Sequence, residues 1–438
     1  MIIIHNGWVI TLAEEPVIEQ GAVVLEGDRI IAVGREEQLL PQFTQARKIN
    51  ARGGIIMPGM LNTHMHLYSA LARGMPLPGY TPRQFTDILA GLWWRLDKVL
   101  DREAIYYSAL VGGIEAIKNG TTTLIDHHAS PGAVEESLDQ LARACSELGL
   151  RANLSYEVSD RDGPDIARGG ISENLRFARW CSEAKPPLLS ASFGLHASFT
   201  LSDSTLKLCV DQAEAQGFHV HTAEAESDRR HSLEHYGVPI VQRLDKLGIW
   251  NSRSLAVHCV HVDRGEMDIL RERDVSVVHN PQSNMGNAVG RADVATMIKR
   301  GLRVGLGSDG FSTDMYEGIR TATLLQRHGS GDPTAGSEIE ILAFQNNISI
   351  ARRLLGVDTG CLVPNWQADV IISSYRPYTP ITDDNWYGHL LMGMSGAMVD
   401  TTIVAGKVLM ENRELKTVNQ ELVYSQARQA AERLWRRL

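Results

Sequence analysis

Between residues 55 and 310 the chain repeats one pattern eight times: a short apolar run and then, in most cases, a polar or ionisable cluster. The runs are "IIMPGMLNTHMH" (55–66), "TTTLIDHH" (121–128), "RANLSYEV" (151–158), "LLSASFGLH" (188–196), "FHVHTAE" (218–224), "SLAVHC" (254–259), "VSVVHNP" (275–281) and "RVGLGSDG" (303–310). Their shortness and apolar content read as buried strands. Between them lie "REAIYYSALVGGIEAIKNG", "AVEESLDQLARACSELG", "SDSTLKLCVDQAEAQG" and "RGEMDILRERD", with apolar residues at helical spacing and Gly at several ends. Eight strands alternating with helices predict an α/β chain folded as a closed parallel (β/α)8 TIM barrel. Such a barrel carries its chemistry at the C-terminal ends of its strands. His64, His66, His127, His128, His196, His221, Glu224, His258, His279 and Asp309 all fall at those ends, so scattered segments converge on one rim.

The flanks read differently. "MIIIHNGWVITL" and "GAVVLEGDRIIAVG", the second broken by a Gly-Asp turn, look like antiparallel strands, as do "DVIIS" (369–373) and "TIVAGKVLME" (402–411), the latter with a Gly-Lys turn. Neither piece alone makes a stable sheet. Residues 1–56 and 361–415 are therefore expected to pair into one small β-sandwich domain, with the barrel, residues 57–360, inserted between them. Residues 416–438 end in an amphipathic helix. The longest irregular stretch, about residues 67–100, follows the first barrel strand and contains "MPLPGYTP" and "GLWWRLDKVL". A loop of that length at the active end is expected to form a lid or pocket wall, with Trp93 and Trp94 lining a flat apolar pocket for substrate.

A formal charge of −9, from 43 Lys and Arg against 52 Asp and Glu, gives no basic field for a polyanion. Nucleic acid and anionic membrane are not expected partners. No apolar run has the length of a membrane span, and the start lacks a basic region and a cleavage site. The reading is a cytoplasmic protein, expected to be a homo-oligomer. Its five cysteines are spread widely without a Cys-x-x-Cys, which argues against a disulfide framework and a cysteine metal site.

His64 and His66 sit at i and i+2, on one face of an extended chain, and supply half of a site for zinc or iron. His221, His258 and Asp309 arrive at the ends of the fifth, sixth and eighth strands. Neutral imidazoles with one carboxylate leave a divalent ion an open position for water, whose pKa the ion brings toward neutrality. Glu224, just past His221, can take the proton from that water and pass it to substrate; His258 can hold the nucleophile, and Asp309 can bind the ion and take a proton. His219, alternating with His221, is expected to point away and be structural. Of the adjacent His127 and His128 only one can face the cavity, and His128, nearer the strand end, is expected to touch substrate.

"MPGMLNTHMH", "HVHTAEAESD", "VHCVHV", "HNPQSNMG" and "GSDG", in that order, resemble the amidohydrolase superfamily of metal-dependent hydrolases, in its branch of chlorohydrolases and aminohydrolases. "WWRLD", "IDHHASP", "ENLRFAR" and "SQARQAAERLWRR" resemble SsnA-type aminohydrolases associated with purine degradation. The resemblance covers nearly the whole chain. It implies one divalent ion, zinc or iron, on His64, His66, His221 and Asp309, with Glu224 as proton shuttle, His258 orienting the nucleophile, and substrate contacts from His196 and from Asn284 in "HNPQSNMG". No lysine ends the fourth strand run, which disfavours a binuclear site bridged by a carboxylated lysine. Many deaminases of the branch continue "SNM" with Lys-Leu, whereas this chain reads "SNMGNAVGRAD", leaving the substrate open. The expected reaction is hydrolytic deamination of an amino-substituted, purine-like N-heterocycle. Hydrolysis of a ring amide, displacement of chloride, and a non-catalytic metal-binding subunit are the alternatives.

Overall fold

The computed structural model describes residues 1–213 and 216–438. Its outer part is a nine-stranded sheet assembled from both ends of the chain. Strands Ile2–Ile10, Val17–Glu26, Arg29–Arg35, Arg47–Asn50 and Ile55–Pro58 join Val370–Ser373, Val399–Val404, Lys407–Glu411 and Glu414–Leu415. The seam is the antiparallel pair of Ile55–Pro58 with Val370–Ser373, in register at Ile56 and Ile372. The turn expected at Gly406-Lys407 falls one residue earlier, with Ala405 and Gly406 both at positive φ, the backbone a tight two-residue hairpin requires.

The run 55–66, read above as one strand, is two. Ile55–Pro58 belongs to the outer sheet and Met60–Met65 begins the inner one. Gly59 lies between them, where a Cβ would fall 2.2 Å from the Thr122 side chain, so only glycine lets the chain cross that close to its neighbour. Inside, Met60–Met65, Thr121–Asp126, Arg151–Leu154 and Leu189–Ala191 form one parallel sheet. Phe193–Ala197, Phe218–Thr222, Leu255–His258, Ser276–His279 and Arg303–Leu306 form a second. The fourth expected strand is thus split at Ser192 between the two sheets, and the third ends at Leu154, four residues early. Parallel bridges Val158–Leu195 and Met65–Asp309 join the sheets, the latter backed by Ser308 and Asp309 N–H groups donating to the His64 carbonyl at 2.9 and 3.0 Å.

Helices cover the sheets with local signals that the sequence carries. Arg102–Lys118 starts at Asp101, whose side chain accepts from Ala104 N, and Arg264–Glu272 starts in an Asp263/Glu266 capping box. "SDSTLKLCVDQAEAQG" forms helix Asp203–Gln212, and its residues 214 and 215 lie outside the described residues. Helix Gln420–Trp435 packs on Arg102–Lys118, and Trp435 Nε1 donates to the Leu71 carbonyl. Among the described residues no helix is long and apolar enough to cross a membrane. The stretch expected to be irregular contains a continuous helical segment, Phe85–Val99, with a π turn at Leu89–Trp93.

Candidate active site

At one end of the parallel sheets the strand-end side chains meet. His64 Nδ1 shares a hydrogen bond with His219 Nε2 at 2.8 Å, while His66 donates from Nδ1 to the His127 carbonyl at 2.5 Å and His221 from Nδ1 to the His196 carbonyl at 3.0 Å. The carbonyl anchors put the Nδ1 proton of His66 and His221 away from the centre and turn Nε2 toward it, the arrangement a metal-binding imidazole needs. Asp309 Oδ1 is 2.9 Å from His66 Nε2 and 3.7 Å from His64 Nε2. These spacings bracket the roughly 3.3 Å between ligands on a tetrahedral ion with bonds of 2.0–2.1 Å. His64 Nε2 and His258 Nε2 are sealed from solvent and have no hydrogen-bond partner among the described residues. His64, His66 and Asp309 bring donor atoms within 4.8 Å of one another, as do His64, His221 and His258. The residues present fit a divalent cation.

Electrostatics point the same way. Burial drops His64 to about 3 and pushes His221 well down, so both are neutral, as ligands must be. Burial opposes the Asp309 charge, but the His64 and His66 imidazoles beside it outweigh that and hold the carboxyl well below the usual range. At His66 burial is again outweighed, here by Asp309, and the ring is lifted to about 9. The centre is built to accept positive charge. Burial, and next the Asp309 charge, raise Glu224 well above the carboxylate range, so it readily holds a proton. Its Oε1 accepts from Asn287 Nδ2 at 3.3 Å, and its Oε2 lies 3.5 Å from His258 Nε2. His258 and Asp309 take φ of 72° and 57°, a strained left-handed backbone that turns both side chains into the centre.

The centre opens into a cavity walled by Phe85, Leu89, Trp93, Trp94 and Phe199 and by the polar Asp97, Glu157, Arg161, His196, Glu224 and Asn287. Trp93, Trp94 and His196 thus all line this cavity. Three expectations need correction. Asn284 does not line the cavity; its Oδ1 accepts from His258 Nδ1 at 2.8 Å and orients that ring. His128 turns away, its Nε2 on Ser130 Oγ at 2.9 Å and its ring between Tyr68 and Tyr156, because the strand phase points His127 inward instead. His127 stacks on His219 with centroids 4.2 Å apart, and both of its nitrogens lack partners among the described residues. His219 is not a bystander, since it holds His64. The reading from sequence also missed Glu157, whose Oε1 lies 3.4 Å from His66 Nδ1 and 3.5 Å from His127 Nδ1. Its signal was a carboxylate at the end of the third apolar run, residues 151–158. Asp97 and Arg161 lie off the strands and gave none.

Imidazoles and carboxylates gathered at the strand ends of a parallel α/β scaffold, beneath an aromatic cavity, define a cation-dependent hydrolase. Residues 55–409 match the Amidohydrolase family, and the chain belongs to it. It is 33% identical over 445 residues to a 5-methylthioadenosine/S-adenosylhomocysteine deaminase of Pelotomaculum thermopropionicum, covering 99% of this chain and 98% of that one. It is also 33% identical over 442 residues to a 5'-deoxyadenosine deaminase of Methanosarcina acetivorans, with 99% and 98% covered. In fold it resembles a zinc-bound adenosine deaminase from Xanthomonas campestris, with TM-score 0.87 and 24% identity over 99% of this chain and 98% of that one. The chain is an enzyme of carbon–nitrogen bond hydrolysis with a TIM-barrel fold and an extra domain.

Proposed function

We propose that the enzyme hydrolytically deaminates an amino-substituted, purine-like N-heterocycle, with one divalent ion, zinc, held by His64, His66, His221 and Asp309. The observation that carries this reading is the set of His64, His66 and His221, each held through Nδ1, with Nε2 of His64 and His66 turned to Asp309, beside the proton-holding Glu224. An all N/O donor set of this kind suits zinc. The ion, when bound, lowers the pKa of a water and so makes a nucleophile available near neutral pH. Glu224 takes a proton from the attacking water and delivers it to a ring nitrogen. His258, fixed by Asn284, holds the nucleophile against the ring carbon. As the carbon–nitrogen bond breaks, the proton left on the attacking oxygen passes by way of Asp309 to the departing amine, which leaves as ammonia, and the ring keeps the oxygen as a carbonyl beside the protonated nitrogen, the tautomer of the hydroxylated product.

The relatives' names support a purine-like ring, since the substrates they name share an adenine base, and purine catabolism is the matching setting. The aromatic wall suits a flat ring. A reducing cytoplasm suits five cysteines that are all free. For the fold we read the two inner sheets, linked by their parallel bridges, as one closed barrel over about residues 57–360. Residues 1–56 and 361–415 form the second domain. Its sheet doubles over a shared core, in which Leu25 and Ile30 meet Val370 and Ile403, and this is the support for a sandwich. The test is zinc-loaded protein against aminopurines, aminopyrimidines and pterins, read by ammonia release and by the mass of the hydroxylated product. Release from one such ring is the expected result; ring-opened acids from hydantoins or dihydropyrimidines, without ammonia from any member, overturn the reading.

A further inference from the structure

Among the described residues Arg161 is the one guanidinium in the cavity wall. Its side chain is only 11% exposed. One terminal nitrogen, Nη2, pairs with Asp97, and Nε lies 3.0 Å from Asp162. The guanidinium carbon is 5.2 Å from the centroid of Trp94, which covers one face of the group. Two carboxylates and an aromatic ring therefore hold it in one orientation. The other terminal nitrogen, Nη1, donates no hydrogen bond to a described residue and is not among the sealed polar atoms, so its N–H groups remain accessible on a side chain that lines the cavity. Asp97 offers a ligand little: its Oδ2 is committed to Arg161 and its Oδ1 is sealed. A ligand reaching this wall meets a fixed donor.

Nothing in the deamination chemistry uses that donor. Glu157 and His196 stand between the ligand cluster and the rest of the wall, Glu157 Oε1 at 3.4 Å from His66 Nδ1 and Oε2 at 3.9 Å from His196 Nε2. We infer that Arg161 is a specificity residue, reading through Nη1 an acceptor oxygen on the substrate at a position away from the carbon that loses ammonia. The inference rests on the proposed deamination only for which carbon reacts. The oxygen has two possible sources, a carbonyl on the ring itself or a hydroxyl of an attached sugar. A site built around a fixed donor rejects analogues lacking the acceptor far more strongly than an apolar pocket rejects a change of size, because the donor is then buried unpaired.

The experiment measures equilibrium binding in zinc-loaded Glu224→Gln protein, where turnover does not interfere. Two ligand pairs are titrated: guanine against 2-aminopurine, which differ by the ring carbonyl, and 5'-deoxyadenosine against adenine, which differ by the sugar. The same pairs are measured with Arg161→Met, with Arg161→Lys, and with Arg161→Met combined with Asp97→Asn, which avoids stranding a buried carboxylate should the single variant fail to fold. At least one pair is expected to show about a tenfold to hundredfold preference for its oxygen-bearing member, the scale of a hydrogen bond to a charged group. That preference should fall to within about twofold in the methionine variants and survive in part with lysine. Loss confined to the first pair names a ring carbonyl, and loss confined to the second a sugar hydroxyl. Preferences absent from the parent protein, or unchanged without Arg161, overturn the inference. If Arg161-dependent preference is found while wild-type protein releases ammonia from no member of the aminopurine, aminopyrimidine and pterin panel, the deamination reading falls and this one stands.

Discussion

Glu224 and His258 face each other at 3.5 Å with Asp309 behind them, Oδ2 lying 3.6 Å from His258 Nε2, so proton transfer and cation binding are assigned to different side chains of one cluster. Glu224→Gln should keep its metal and fold and lower turnover at least about a hundredfold, the scale of lost acid–base help. Metal analysis beside kcat checks this, and near wild-type turnover would place the shuttle elsewhere. His66→Ala or Asp309→Ala should instead lose most of the metal, as read by elemental analysis after gel filtration. His219→Phe is expected to keep the stack on His127 but remove the hydrogen-bond partner of His64 Nδ1, weakening metal affinity about 10- to 100-fold. A competition titration with a chelating dye reads that shift, and unchanged affinity assigns His219 to packing alone. The proposed ligands were legible because period-two alternation and strand-end position both point at them. His127 was not, because choosing between adjacent histidines requires the phase of the pleat, which neighbouring strands set. Asn284 was assigned to the right cluster and the wrong partner, since a motif gives proximity without direction.

The helical segment Phe85–Val99 carries Trp93, Trp94 and Asp97 to the cavity. Its buried apolar positions Phe85, Leu89 and Leu96 stand at i, i+4 and i+11, an ordinary helical spacing in the sequence, into which the π turn at Leu89–Trp93 inserts an extra residue. The same insertion rotates the two tryptophans relative to the first turn. Trp94→Ala should weaken binding of a planar ring by about tenfold or more, the usual yield of aromatic stacking on a base, with a smaller effect on kcat. KM and product affinity measured together test it; an unchanged product affinity means that Trp94 only packs Phe199 and Arg161. Strand existence was readable from apolar runs, whereas the breaks at Gly59 and Ser192 were not, because a strand changes sheets when tertiary partners change and not when hydropathy does.

At the scale of the molecule the outer sheet and the parallel core are tied by Arg151, which is fully buried at the start of the third inner strand. Its Nε and Nη2 both reach Asp369 at 3.1 Å, and Nη2 reaches Gln367 at 2.9 Å. Asp369 also accepts from Thr359 Oγ1 and from Ala405 N. Arg151→Met leaves that carboxylate buried and unpaired and should cost about 3–5 kcal/mol, seen as a lower midpoint in urea. Deleting residues 361–438 should give insoluble protein, because Ile55–Pro58 would lose its partner strand and present an open edge. The pairing of the two ends could be anticipated, since neither set of strands makes a sheet alone, but no hydropathy pattern announced the buried Arg151–Asp369 pair. That pairing has a kinetic side. A ribosome adding about 5–20 residues per second takes roughly fifteen to sixty seconds to move from Ile55–Pro58 to the strand that will cover it. For all of that interval the newborn N-terminal strands are β-sheet in search of a neighbour, exposed to other nascent chains. Synthesis at lower temperature, or with a holding chaperone in excess, should therefore raise the yield of this enzyme more than that of a barrel whose ends are not interleaved.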